Sequence, residues 1–235
     1  MRIMVINPNT SASMTSNLRE FVNVIKRPDT DITVTSLDKG PVTLQSSYDK
    51  AEAVPAVLEL VKKANREAYD AIIIAAFCDP GLEAAREASD ALVLGLEEVT
   101  LHLSAMLGSR FSIVTMTEEH VPHKYREVCG YNLEKSLASI RPLGLTVAQT
   151  DSEPELTKRR IMDVAKTIVQ DDKAEVIVLG CAGMAGYSTE IKKQLPGVTV
   201  VDPTSITLKI CEAMVDANLT HAKIALYAYP PSLRA

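Results

Sequence analysis

The sequence contains no tryptophan, and aromatic residues make up only 4% of it. Stacking platforms and aromatic cages therefore have little material, which removes most nucleic-acid-binding modules. The longest apolar runs, 71–78 and 176–182, fall far short of the roughly 20 residues that a membrane span needs. No long apolar leader stands at the start: Met1-Arg2 passes directly into Ile3-Met4-Val5-Ile6, so we expect a cytosolic protein. Neither GxGxxG nor GK[ST] occurs, which disfavours nucleotide cofactors. The four cysteines, Cys78, Cys129, Cys181 and Cys211, form no CxxC pair and no Cys/His cluster, so neither a metal site nor a disulfide framework is expected. A net charge of −5 gives no general attraction to nucleic acid or acidic lipid.

What is present is ordinary for a globular chain: 235 residues, 46% apolar and 23% charged. Short β-branched runs alternate with longer amphipathic ones over the whole length. Several of the short runs are continuously apolar, as parallel strands covered on both faces are. This pattern predicts an α/β fold with a mainly parallel sheet, whose chemistry collects in the loops after the carboxyl ends of the strands. Strands are expected at 2–6, 32–36, 71–76, 91–95, 111–115, 145–149, 175–179, 198–201 and 224–227. Helices are expected at 13–25, 50–68, 82–89, 97–107, 133–140, 155–170 and 205–217.

Candidate chemistry lies at three strand ends. The first strand runs into Asn7-Pro8-Asn9-Thr10-Ser11 before a helix, which is either a plain turn with an N-cap or a cradle of amides and hydroxyls for a carboxylate or imide carbonyl. Cys181 stands in Gly180-Cys181-Ala182-Gly183, where backbone donors and a helix start would favour the thiolate; the alternative is a small residue packed under a tight turn. Cys78, in Phe77-Cys78-Asp79-Pro80-Gly81, echoes it in the first half, with Asp79 read as a helix cap. Cys129 and Cys211 fall in helical patterns and read as core, His102 as a satisfied polar contact, and His120 and His123 as solvated. Two thiols at equivalent strand ends suggest one that removes a proton from a stereocentre and one that returns a proton from the opposite face. Such chemistry needs an acidified C–H, as beside the carbonyl of a hydantoin-type ring, and no cofactor.

Residues 1–15 (MRIMVINPNTSASMT), 79–87 (DPGLEAARE), 107–115 (LGSRFSIVT) and 178–184 (VLGCAGM), with Gly40-Pro41 and 223–230, resemble the hydantoin racemase branch of the aspartate/glutamate racemase superfamily. The resemblance implies two pseudo-symmetric α/β lobes, each with a parallel sheet of about four strands flanked by helices, and an active site in the cleft between them. The lobes would be 1–96 with 206–235, and 97–205. It also implies a homo-oligomer that inverts 5-substituted hydantoins or allantoin without a cofactor or metal. On this resemblance Cys181 is the second catalytic cysteine and Cys78 the candidate for the first. Asn9, Thr10, Phe77, Asp79, Thr115, Met116, Gly180, Ala182 and Gly183 are the substrate-binding candidates.

The chain departs from the family pattern twice. The family reads Ala-Cys-Phe-x-Asp before the first helix, so Ala76 stands where its cysteine would be and Cys78 follows two residues later. On an extended strand that shift moves a thiol by about 6.5 Å. Met116-Thr117 replaces a second threonine and a leucine. The alternatives are therefore a one-cysteine enzyme, a decarboxylase, lyase or hydrolase acting on a hydantoin- or thiohydantoin-like ring or a malonate through Cys181, or a non-catalytic binder that keeps the cradle.

Overall fold

The computed structural model describes residues 1–181, 184 and 187–233, with residues 147, 148 and 151 by their backbone alone. Ala182 and Gly183 lie outside the described residues. The chain divides into two compact units, 1–96 with 207–235 and 97–206.

The first unit contains β1 (Arg2–Asn7), α1 (Ala12–Ile25), β2 (Asp31–Ser36), α2 (Ser47–Arg66), β3 (Ala71–Ile74), α3 (Leu82–Ala88) and β4 (Leu92–Gly95). Its strands form one parallel sheet in the order β2-β1-β3-β4. Every residue of β3 and β4 is buried, which is why these strands read as unbroken apolar runs. Helix α2 opens with a capping box between Ser46 and Asp49. It buries Ala53, Val57, Val61 and Ala64, spaced by four, four and three residues along one face, among Met4, Ile6, Ile72 and Ile74.

The second unit contains most of α4 (Leu96–Leu107), then β5 (Phe111–Thr115), α5 (His120–Gly130), β6 (Leu137–Pro142), α6 (Val147–Ser152), α7 (Pro154–Gln170), β7 (Val176–Leu179), α8 (Ser188–Gln194) and β8 (Thr199–Val201). These strands make a second parallel sheet, β6-β5-β7-β8. Its order repeats that of the first with β5 in place of β1 and β7 in place of β3. From α7, Ile161, Met162, Ala165 and Ile168 pack with Val114, Ile177 and Leu179.

Helix α9 (Pro203–Asp216) returns the chain to the first unit. There Glu212 accepts hydrogen bonds from the Arg27 backbone N–H at 2.8 Å and the Thr30 hydroxyl at 2.9 Å. The residues that follow are tied to α3, to β4, an edge strand of the first sheet, and to the turn between them. The Val93 N–H donates to Nε2 of His221 at 2.9 Å, Arg86 donates to the Tyr227 hydroxyl at 3.1 Å, and Tyr229 donates to Asp90 at 2.5 Å.

Three expected elements differ. Residues 224–227 form turns, not a strand, with Tyr227 turned to Arg86. Residues 145–149 are not a strand, because Thr146 and Gln149 make a capping box that starts α6. The expected helix at 133–140 is half turn and half β6: the chain turns between Leu133 and Ser136 and then pairs with β5, where ladder bonds outweigh the helix preference of Leu-Glu-Lys-Ser-Leu. Among the described residues no helix is long and apolar enough to cross a membrane.

Candidate active site

In the first unit the loop after β1 is fixed by its own side chains. Asn7 donates from Nδ2 to Asn9 Oδ1 and to Thr15 Oγ1, both at 2.9 Å, and Thr15 donates in turn to the Ser11 carbonyl at 2.7 Å. Asn9 Oδ1 also accepts the Ser11 N–H at 2.9 Å, leaving Nδ2 directed at the Met14 sulfur 3.7 Å away. Thr10 donates twice to the Pro41 carbonyl, from its N–H at 3.0 Å and its hydroxyl at 3.3 Å. Ser11 caps α1. The sequence pointed to Asn9 and Thr10; the structure adds Asn7 and Thr15, which immobilise the Asn9 amide.

Beyond β3 the chain does not stay extended. Ala75 donates to the Ile6 carbonyl, and a turn then closes from Asp79 N–H to Ala76 carbonyl at 3.2 Å. Phe77 is buried in this turn and Cys78 is half-buried. Asp79 is buried with φ +43°, an uncommon conformation for a non-glycine residue. Its carboxyl lies against Gly95 at the end of β4. The expectation that Asp79 caps α3 is corrected: the cap is Gly81, at φ +73°, with no side-chain bond.

The second unit repeats this arrangement at the carboxyl edge of its sheet. Gly180 donates to the Val114 carbonyl at 2.9 Å, as Ala75 does to Ile6, and the next residue is the half-buried Cys181. The matching residue of the first unit is Ala76, so Cys78 sits two positions past the place that Cys181 occupies. Thr115 and Met116, both buried, lie on the neighbouring strand end and are tied to the loop after β6 through Leu143 and Gly144.

The remaining thiols differ from these two. Cys211 is fully buried on α9, and desolvation pushes its thiol up to about 12, so it is a core residue. Cys129 is half-buried on α5 and hydrogen-bonds Tyr125. His102 is exposed and bonds the Glu98 carbonyl. His120 is not solvated as expected: it is half-buried, with Nδ1 2.9 Å from the Thr117 hydroxyl. Among the described residues no cluster of His, Cys, Asp and Glu could hold a metal ion.

A family model described as Asp/Glu/Hydantoin racemase matches residues 3–211. The chain belongs to this family. It is 37% identical over 230 residues to a hydantoin racemase of Pseudomonas sp. (strain NS671), covering 98% of this chain and 92% of that protein. A hydantoin racemase of Rhizobium meliloti is 32% identical over 98% of this chain and 95% of its own. Among solved structures, an allantoin racemase from Pseudomonas fluorescens superimposes with a TM-score of 0.92 at 32% identity, over 98% of this chain and 97% of that one. Arylmalonate decarboxylase shares the fold alone, with a TM-score of 0.65 at 16% identity over 93% and 94% of the two chains.

Proposed function

We propose that the protein is a racemase of hydantoin-type cyclic ureides, a 5-substituted hydantoin or allantoin, that moves the C5 proton between cysteine sulfurs without a cofactor. Family membership and racemase relatives along nearly the whole chain support the reaction class. The observation that carries the chemistry is Cys181, a half-buried thiol one residue beyond the last bond of β7 to the central strand.

The reaction balances with two thiols. A thiolate takes the C5 proton, and the electron pair left behind spreads onto the adjacent C4 carbonyl as an enolate. A thiol on the opposite face then donates its proton to C5, so the product has inverted and the two sulfurs have exchanged roles. Cys181 and Cys78 are the proposed pair. Asn9, Thr10, Phe77, Asp79, Thr115, Met116, Gly180, Ala182 and Gly183 are the proposed ring contacts. The immobilised Asn9 amide needs no reorganisation to meet a ring carbonyl.

One observation favours a second reading. Ala76, not Cys78, matches Cys181 in the internal repeat, and an enzyme working through Cys181 alone would be a decarboxylase or lyase on a related ring or malonate. Proton NMR in D2O with enantiopure allantoin and 5-substituted hydantoins, followed by polarimetry, separates the two. Loss of both the C5–H signal and optical rotation, abolished by Cys78→Ser and by Cys181→Ser, is the expected result. Turnover that survives Cys78→Ser selects the one-cysteine reading.

A further inference from the structure

The strands of the first sheet all run the same way, so its two edges differ. Asn9 and Cys78 follow strand ends at the carboxyl edge, whereas the end of α2 and the turn before β4 lie at the amino edge, where β3 and β4 begin. An open cavity of about 650 Å³ lies at that amino edge, within the size range of small-molecule sites. The proposed racemisation uses nothing there.

The cavity walls are fastened by side chains. Asn65, near the end of α2, donates from Nδ2 to the Ala88 carbonyl at 2.8 Å. Its Oδ1 accepts the Asp90 N–H at 3.1 Å and the Ser89 hydroxyl at 3.2 Å, so α2 and the turn before β4 are held together. Tyr229 and Leu233 form the third wall. Tyr229 donates to Asp90 Oδ1 at 2.5 Å, and the Lys223 ammonium lies 4.4 Å from the centre of its ring.

The charges of this lining do not cancel. Lys62 and Arg66 stand four residues apart on one face of α2 and Asp90 adds one carboxylate, so two cations and one anion leave +1. Lys62 reaches Glu59 at 2.8 Å, a weak pair because the two side chains are 40% and 70% exposed. Arg66 makes no hydrogen bond or ion pair among the described residues. Like charges at this spacing repel, and an anion between them removes the repulsion. The helix dipole favours cations in the last turn of α2, but it does not account for a walled space beside them.

We propose that this cavity binds a small organic monocarboxylate with an apolar body. The Arg66 guanidinium takes the carboxylate through two parallel N–H bonds, and Lys62 adds a second positive charge. Ala88 and the half-exposed Leu233 cover the apolar body. A single negative charge balances the lining, whereas a phosphate dianion brings a second one toward Asp90. The site does not depend on the racemase reading, because it lies at the other edge of the sheet and its occupancy is read without turnover.

The test follows backbone amide signals by NMR while phenylacetate is added to the whole chain. Asn65, Ala88, Asp90 and Leu233 should shift together along one binding curve. Arg66→Ala, a change at an exposed side chain that leaves the fold intact, should raise the Kd read at these signals about 10-fold, the scale of a lost charge-assisted hydrogen bond. Lys62→Ala should raise it less. Benzyl alcohol, which keeps the ring without the charge, and inorganic phosphate, which keeps charge without the apolar body, should both bind more weakly than phenylacetate. The assignment is overturned if these amides do not move or if only amides at the carboxyl edge, such as Asn9 and Cys78, respond. An unchanged Kd in Arg66→Ala overturns it too, as does phosphate or benzyl alcohol binding as tightly as the acid.

Discussion

A Cβ added to Gly95 would lie 2.3 Å from the carboxyl carbon of Asp79 and within 2.5 Å of both its oxygens. The missing side chain at the end of β4 is thus the space that the Asp79 carboxyl fills, beside Cys78. Gly95→Ala should displace that carboxyl and destabilise the protein by about 1–3 kcal/mol, as overpacking of a buried site does. Denaturant midpoints give the stability change, and C5 exchange rates show whether the turn carrying Cys78 has moved. An unchanged midpoint would count against the tight contact.

The equivalence of Ala76 and Cys181 leads to a rescue experiment. If two thiols are needed and Cys78 supplies the first, Cys78→Ser should abolish racemisation. Adding Ala76→Cys to that variant places a sulfur at the matched position on a half-buried residue. We expect the double variant to recover part of the lost exchange, measured by loss of the C5–H signal in D2O. Failure to recover any would mean that the turn, and not the strand end, sets the position of the thiol.

Lys124 on α5 is held between Glu97, at 2.9 Å, and Glu127, at 2.8 Å, with side-chain exposures of 8% for the lysine and 1% for Glu97. Removing the cation takes a close counter-charge away from the buried Glu97 carboxylate. Lys124→Met should cost about 3–5 kcal/mol, whereas replacing the trio together with apolar residues should cost far less. Equilibrium unfolding of both variants tests this, and equal losses would refute it.

Asp172 gives a pH dependence with a definite sign. Arg141, whose Nε and Nη2 donate at 2.9 and 2.5 Å, holds the carboxyl below its ordinary range; Ser139, donating at 2.6 Å, acts the same way, and burial opposes both. A depressed folded-state pKa stabilises the protein above the unfolded value, about 3.9, and that contribution disappears as pH falls through the folded value. Below about pH 4 the wild type should therefore lose stability more steeply than Asp172→Asn. Denaturant midpoints between about pH 2 and 7 show it, and parallel acid limbs would contradict it.

The parts legible in the sequence were those that a single physical cause determines. β3 could be read because burial on both faces demands an unbroken apolar run, and α2 because its buried residues recur on one helical face. β6 could not: it is an edge strand whose six residues are all half-buried, so it shows neither alternation nor a continuous apolar run. Helix α6 carried a readable signal, since Thr146 and Gln149 stand at capping-box spacing, but β-branched Thr146 and Val147 suit a strand equally well. In the candidate site, Cys181 and Asn9 stood out by their position at strand ends. His120 did not, because its partner Thr117 is set by the fold of a loop, and neighbouring charged residues made it look solvated.

The first unit is assembled from both sides of the second along the chain. Its edge strand β4, its helix α3 and the Arg27–Thr30 turn are tied to His221, Tyr227 and Glu212 in turn. During synthesis, stalled chains whose residues 207–233 are still inside the ribosome should have the 97–206 unit protected from protease while 1–96 is cleaved. The half made first is therefore finished last, and until then one edge of its sheet stays uncovered.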